Sequence, residues 1–176
     1  MLCRAARYVE IETVKCRGIT VGGKIGKPSG GIPMSQEENM RSVSIEYRDS
    51  HDFTSNELER LFLSVNWSSG HFPDKLVEAM KHYETVFSAW DGDRLVGLIC
   101  AMDDGIMNAY IHYLLVDPEH QGQEIGRNLV ERVKEKYRDY MRMVVVAYDD
   151  ELTFYENCGF KKKADTSAMC IITLWT

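Results

Sequence analysis

The sequence predicts an α/β domain, a mixed sheet with helices on both faces, in the order β-α-α-β-β-β-α-β-α-β-β. Three observations carry this. From residue 43 onward, apolar runs of strand length alternate with stretches whose apolar residues recur at helical spacing. Asp91-Gly92-Asp93 joins two of those runs with the residues of a tight hairpin turn. The run from Tyr113 to Val130 reads as a strand, a short Gly-containing loop and a helix start.

Taken in order, Val43 to Tyr47 alternates like a first strand. Ser55 is placed to cap a helix over Asn56 to Val65, with Leu58, Leu61, Phe62 and Val65 on one face. Residues 66–73 read as a loop, and a second helix carries Leu76, Val77, Met80 and Tyr83 at helical spacing. Val86 to Trp90 and Arg94 to Met102 are the hairpin strands. After the turn at Asp103-Asp104-Gly105, Ala109 to Val116 forms the strand that enters the loop. Gly126 to Tyr137 is a helix with Leu129, Val130, Val133 and Tyr137 inward. Met141 to Ala147 is apolar through its centre, as expected of a strand covered on both faces. Asp149 or Asp150 caps a short helix ending at Cys158, and Gly159 suits the left-handed position after it. Lys161 to Ala164 and Cys170 to Trp175 are expected to close the sheet.

Residues 1–41 differ from the rest. They hold six of the thirteen glycines and two of the four prolines, and they carry seven Lys/Arg against four Asp/Glu. The Gly-rich stretch 22–31 buries little apolar surface, so the segment is expected to be a flexible or accessory extension. A disordered tail, an added strand around Tyr8 to Val14, and sequence upstream of a start at Met34 or Met40 all stay open. Residues 42–176 form the expected domain and carry fourteen Lys/Arg against twenty-three Asp/Glu. An acidic body disfavours nonspecific nucleic-acid binding and suits a cationic acceptor. The longest apolar stretches are too short to span a bilayer, and no signal-peptide core is seen, so no membrane association and a cytoplasmic location are expected. Five cysteines without a Cys-x-x-Cys pair argue against a disulfide framework or a zinc site, and the histidines show no metal-ligand spacing, so no metal is expected.

The chemistry is concentrated between Tyr113 and Val130. The first N–H groups of a helix lack internal acceptors, and the helix dipole adds partial positive charge there, so such a loop-to-helix junction suits a phosphate or pyrophosphate. The run contains neither a Gly-x4-Gly-Lys-Ser/Thr loop nor a Gly-x-Gly-x-x-Gly turn. A nucleotide-hydrolase reading therefore lacks its residues.

Gln121-x-x-Glu124-x-Gly126 resembles the Gln/Arg-x-x-Gly-x-Gly/Ala motif of the GNAT superfamily of acyl-CoA-dependent N-acetyltransferases. Thirty residues on, Tyr155-Glu156-Asn157-Cys158-Gly159-Phe160 resembles that family's Tyr-x-x-x-Gly-Phe motif. The resemblance covers roughly residues 43 to 175. It implies a GNAT fold, with acetyl-CoA as cosubstrate and a primary amine, on a small molecule or a peptide, as acceptor. A homodimer is left open. The coenzyme-binding residues it implies are Gln121, Gly122, Gln123, Glu124, Ile125, Gly126 and Arg127 at the pyrophosphate, with Leu114, Leu115 and Val116 pairing with the pantetheine arm as if it were another strand. Tyr155 takes the place of the family's general acid. Its phenol, with an ordinary pKa of about 10, stays protonated at neutral pH. His112, on the strand that leads to the coenzyme, is the candidate base, against the alternative of a satisfied structural histidine. Arg127 either adds charge at the phosphates or is a solvated helix residue. Trp67, His71 and Phe72 fall where the family's acceptor pocket is bordered.

Two departures stand out. Tyr148 occupies the place, seven residues before Tyr155, where some members carry an Asn that holds the coenzyme. Glu124 replaces a Gly and brings a negative charge beside the phosphate site. A carboxylate turned to solvent would cost little there. One turned inward supports a second reading, a non-catalytic GNAT-like sensor or interaction module.

Overall fold

A computed structural model describes residues 44–169. Five strands form one sheet in the sequential order β1-β2-β3-β4-β5: Ile45–Asp49, Thr85–Asp91, Arg94–Asp103, Asn108–Val116 and Arg142–Val145. The first four pair antiparallel, while β5 joins β4 in parallel. The helices are α1 (Ser55–Ser64), α2 (Pro73–His82), α3 (Ile125–Lys136) and α4 (Leu152–Asn157), and short 3-10 turns lie at Ser68–His71 and Pro118–His120.

The expected order holds from β1 to α4, with local differences that have physical causes. The cap of α1 is Thr54 rather than Ser55. Its hydroxyl accepts from Glu57 N–H, and the Glu57 carboxylate accepts from Thr54 N–H at 2.7 Å, a reciprocal box. Ser55 instead donates to Asp74 at 2.6 Å and ties α1 to α2. No aspartate caps α4. Glu151 holds that position without a side-chain bond, and Asp149 pairs with Lys162. Strand β5 is not covered on both faces. Met143 and Val145 pack inward, but Arg142 and Val144 are exposed, because no helix among the described residues lies over its other face. Residues 161–164 are exposed and irregular rather than a strand. The expected strand at Cys170 to Trp175, the start of the first strand at Val43 and the whole 1–41 extension lie outside the described residues.

The sheet separates two cores. On one face, Leu58, Leu61 and Phe62 of α1 and Leu76 and Met80 of α2 pack on Val86, Leu95, Leu98, Cys100 and Leu115. On the other, Ile125, Leu129, Val130 and Val133 of α3 pack on Ala89, Val96, Ile99, Ala101 and Ile111. Each fully buried Leu, Ile or Phe contributes roughly 2 kcal/mol of hydrophobic stabilisation.

Gly97 lies under the first turn of α3. A Cβ built there would stand 3.0 Å from Ile125 Cγ2 and 3.2 Å from Leu129 Cδ1, with Ala89 Cβ at 3.3 Å. This close approach sets how near the helix start sits to the sheet. Gly97→Ala is therefore expected to destabilise the fold by roughly 1–3 kcal/mol through overpacking, read as a lower urea midpoint with an unchanged slope. An unchanged midpoint would show that α3 has room to move.

Candidate active site

The site begins where β4 and β5 part. Their pairing runs from Asn108↔Arg142 to Ile111↔Val145 and stops there. From His112 to Val116, β4 keeps β3 on one side and, among the described residues, has no strand on the other. The chain after β5, Val146 to Tyr148, diverges, and a cleft of about 290 Å³ opens between the two strand ends.

A β-bulge shapes the same stretch. Cys100 pairs with Tyr113 and Ala101 with Ile111, so His112 is the extra residue. The bulge shifts the alternation. Ala109 and Ile111 belong to the α3 core, whereas Tyr113 and Leu115 belong to the α1/α2 core. His112 and Tyr113 therefore lie against each other, with ring centroids 4.1 Å apart and planes at 22°. The Tyr83 hydroxyl meets His112 Nδ1. Burial among these rings lowers the His112 pKa from its usual range.

The open edge of β4 has a defined polarity. Asp117 N–H donates to Val96 O on β3 at 2.8 Å. Alternation along the strand sends the Leu115 N–H the same way and turns those of Leu114 and Val116 toward the cleft. Val116 O, on that side, accepts from Gln121 Nε2 at 3.1 Å.

The loop is then anchored by Asp117, whose side chain is only 2% exposed. Its carboxylate takes Arg94 at 2.8 Å and Arg60 at 3.5 Å, and it accepts from Glu119 N–H at 3.1 Å. Arg94 also reaches Glu119, and His120 Nε2 lies 3.2 Å from Asp91. These ties fix residues 117–120 on the sheet. Gly122 turns the chain at φ +76° and Glu124 at φ +61°, and α3 starts. The first bond of the helix runs from Asn128 N–H to Glu124 O at 2.9 Å. By helix geometry the N–H groups of Glu124, Ile125, Gly126 and Arg127 have no acceptor within the helix.

Glu124 occupies a left-handed conformation that glycine adopts freely and that costs another L-residue roughly 1 kcal/mol. Its side chain is 66% exposed and bonds Arg127 Nη1 at 3.2 Å, so the carboxylate points to solvent. Arg127 also donates to Asn157 O at 3.3 Å, linking the α3 start to the end of α4. Gly126 faces the Phe154 ring at ordinary contact distance.

Tyr155 reaches the cleft from α4, half-buried, with Phe154 and Phe160 edge-on at 5.1 and 5.7 Å. Burial, and then the charge of nearby Glu151, pushes its phenol pKa well above the ordinary value. Gly159 follows at φ +92°. Glu151 lines the cleft one turn before Tyr155, and burial raises its carboxyl pKa, helped by Asp150.

The expected residues thus converge. Leu114, Leu115, Val116, Gln121, Gly122, Glu124, Ile125, Gly126, Arg127, His112 and Tyr155 all line one cleft, and Gln123 lies in its loop without lining it. The Ile125 side chain is committed to the α3 core, so only its backbone is available. Of the loop aromatics, Trp67 lines the cleft, whereas His71 and Phe72 are exposed and do not. Tyr148, the sequence's departure from the family's Asn, lines the cleft too, whereas the parts played by Asp117, His120, Glu151 and residues 145–147 are not singled out from the sequence. For Asp117 a signal existed, since an aspartate before Pro118 is a helix-cap pattern, and it caps the 3-10 turn. Among the described residues, no group of three or more His, Cys, Asp or Glu is placed to hold a metal ion, and no helix is long and apolar enough to cross a membrane.

The acetyltransferase (GNAT) domain family matches residues 50–172. GCN5-related N-acetyltransferase 2, chloroplastic, of Arabidopsis thaliana is 39% identical over 70 residues, 39% of this chain and 27% of that protein. The match thus spans under a third of that relative's length. The uncharacterized N-acetyltransferase ycf52 of Pyropia yezoensis is 27% identical over 158 residues, covering 78% of this chain and 89% of its own. A GNAT-family acetyltransferase of Streptococcus pneumoniae superposes with a TM-score of 0.65 at 24% identity, over 74% of this chain and 98% of its own, which speaks to the fold. With the family's domain matched from residue 50 to residue 172, this chain belongs to the GNAT acetyltransferase family.

Proposed function

We propose that residues 42–176 form an N-acetyltransferase domain that moves an acetyl group from acetyl-CoA to a primary amine by direct attack within a ternary complex. The observation that carries this reading is the single cleft joining an orphaned helix N-terminus, an open strand edge and a protonated phenol. These are the three features that an extended thioester carrier with a pyrophosphate needs. The residues fit it: backbone N–H groups from Gly122 to Arg127 would receive the pyrophosphate, and the edge from Leu114 to Val116 would pair with the pantetheine arm.

The reacting end follows from the same geometry. The N–H of Leu114 or Val116 polarises the thioester carbonyl, in a place already fixed by β3. The neutral amine attacks that carbon, the C–S bond breaks, the Tyr155 hydroxyl gives its proton to the departing sulfur, and the proton shed by the attacking nitrogen passes to solvent in the open cleft, from which Tyr155 is reprotonated. Tyr155 and His112 are the two side chains we assign there. The acceptor is an amine of a small molecule or a peptide, and the half-buried carboxyl of Glu151 suits its positive charge.

Three outcomes test this. In a thiol-release assay against a panel of amines, Tyr155→Phe should lower turnover about 100-fold with little change in coenzyme affinity. Unchanged turnover removes the acid assignment, and no thermal shift with millimolar acetyl-CoA favours a non-catalytic sensor module. A proton donor must be protonated to work, and burial raises the Tyr155 pKa, so its alkaline limb should lie above the ordinary phenol value of about 10. A limb from Tyr155 at neutral pH would contradict that. Glu124→Gly should relieve the left-handed strain and release Arg127, so calorimetry should show severalfold tighter coenzyme A binding at equal or higher stability. Weaker binding would mean that the Glu124–Arg127 pair itself shapes the loop.

A further inference from the structure

The environment of His112 decides what the imidazole can do. Tyr83 follows α2, is 9% exposed, and its hydroxyl meets three groups: His112 Nδ1, the Cys100 thiol and the Tyr113 phenol. Cys100 is fully buried, and its thiol is pushed toward the protonated form by that burial. Burial likewise keeps Tyr83 and Tyr113 protonated. The cluster therefore contains one S–H and three O–H hydrogens, those of Tyr83, Tyr113 and the Ser69 hydroxyl bonded to Tyr113, around a neutral imidazole. The Tyr110 ring also lies near His112, with centroids 6.0 Å apart and planes at 27°.

Directionality follows from counting hydrogens. A hydroxyl gives one hydrogen and can accept two; a thiol is a weak donor and a weaker acceptor; an imidazole nitrogen without hydrogen is the strongest acceptor present. If Tyr83 donated to Cys100, the thiol hydrogen would lose the Tyr83 oxygen as its acceptor, and Nδ1–H would have to donate to a phenol oxygen already crowded by Tyr113. If Tyr83 donates to Nδ1, its oxygen is free to accept from both the Cys100 thiol and the Tyr113 hydroxyl. With Ser69 donating to the Tyr113 oxygen, each hydrogen then has an acceptor, and the bonds run in one direction and polarise one another.

We propose that Tyr83 is a positioning residue that holds His112 with Nδ1 as acceptor and Nε2 protonated, so that His112 presents an N–H donor, rather than a lone pair, to the cleft it lines. This rests on the transferase reading above and assigns His112 a different part from proton acceptor. A neutral Nε2–H is repelled by an ammonium and attracted by an oxygen. It suits the thioester carbonyl, whose oxygen gains negative charge during attack, together with the strand N–H groups of Leu114 and Val116. The bulge gives this arrangement its reason, since the extra residue lets His112 and Tyr113 both lie on the Tyr83 side of the sheet.

The test reads the tautomer directly and needs no coenzyme. In the full chain labelled with ¹⁵N-histidine, long-range ¹H–¹⁵N spectra at pH 7.5 should show His112 with an unprotonated Nδ1 and a protonated Nε2. Tyr83→Phe should move that resonance pattern toward a tautomer mixture. In the thiol-release assay, His112→Gln, which keeps an N–H donor, should retain at least tenfold more kcat than His112→Ala, with the acid limb of the wild-type profile preserved. A wild-type spectrum with Nδ1 protonated overturns the proposal, as does a His112→Gln variant no better than His112→Ala. Should Tyr83→Phe fail to fold, the wild-type spectrum alone decides. Coenzyme binding by calorimetry stays a separate measurement, so failure of the transferase reading leaves the tautomer result standing.

Discussion

The structure depends on a limit to strand pairing. Strands β4 and β5 stay together for four residue pairs and then separate. Parallel strands carry evenly spaced hydrogen bonds, so ending the ladder early leaves a row of main-chain groups on β4 with no partner strand among the described residues. Such an edge inside a folded protein is costly unless something else bonds it. Here the space beside it is a cleft, and His112, Tyr155 and the α3 start are arranged around that space. The bulge at His112 coincides with the point of separation, and it lets β4 serve the α3 core before it and the α1/α2 core after it.

A second constraint holds the far end of the cleft. Asp117 is a nearly inaccessible carboxylate, tolerated because two arginines and the Glu119 N–H surround it. One of those arginines is on α1 and the other on β3. The loop that precedes α3 is thereby bound to both the helical layer and the sheet. Truncating Asp117 alone would leave Arg94 and Arg60 facing each other without their common partner, a larger perturbation than removing an exposed ion pair. The loop's shape is thus a property of the whole domain.

Much of this was legible in the amino-acid order. The helical faces of α1, α2 and α3 follow from apolar spacing, and Asp91-Gly92-Asp93 gave the hairpin because Gly92 takes the left-handed backbone that the turn requires. Gly122 and Gly126 marked the loop. Other features were hidden for physical reasons. Strand β4 alternates plausibly through Tyr110, His112 and Leu114, so nothing local marks His112 as the residue that breaks the alternation; that break is set by register with β3. The apolar centre of β5 suggests two-sided burial, yet coverage depends on which helices lie nearby. Thr54 and Ser55 are both good caps, and only Glu57, three residues after Thr54, distinguishes them. The convergence of Tyr155 with His112 spans the chain and is visible from sequence only through family resemblance.

The ties on residues 117–121 carry a kinetic corollary. A segment already held in receptive shape needs no reorganisation when an anion approaches, so arrival is governed by diffusion and by long-range charge, and departure carries most of the difference between variants. Residues 42–176 bear fourteen basic and twenty-three acidic side chains. For a polyanionic visitor the net field of those residues is repulsive while the helix mouth attracts, and raising ionic strength should quicken its capture rather than slow it.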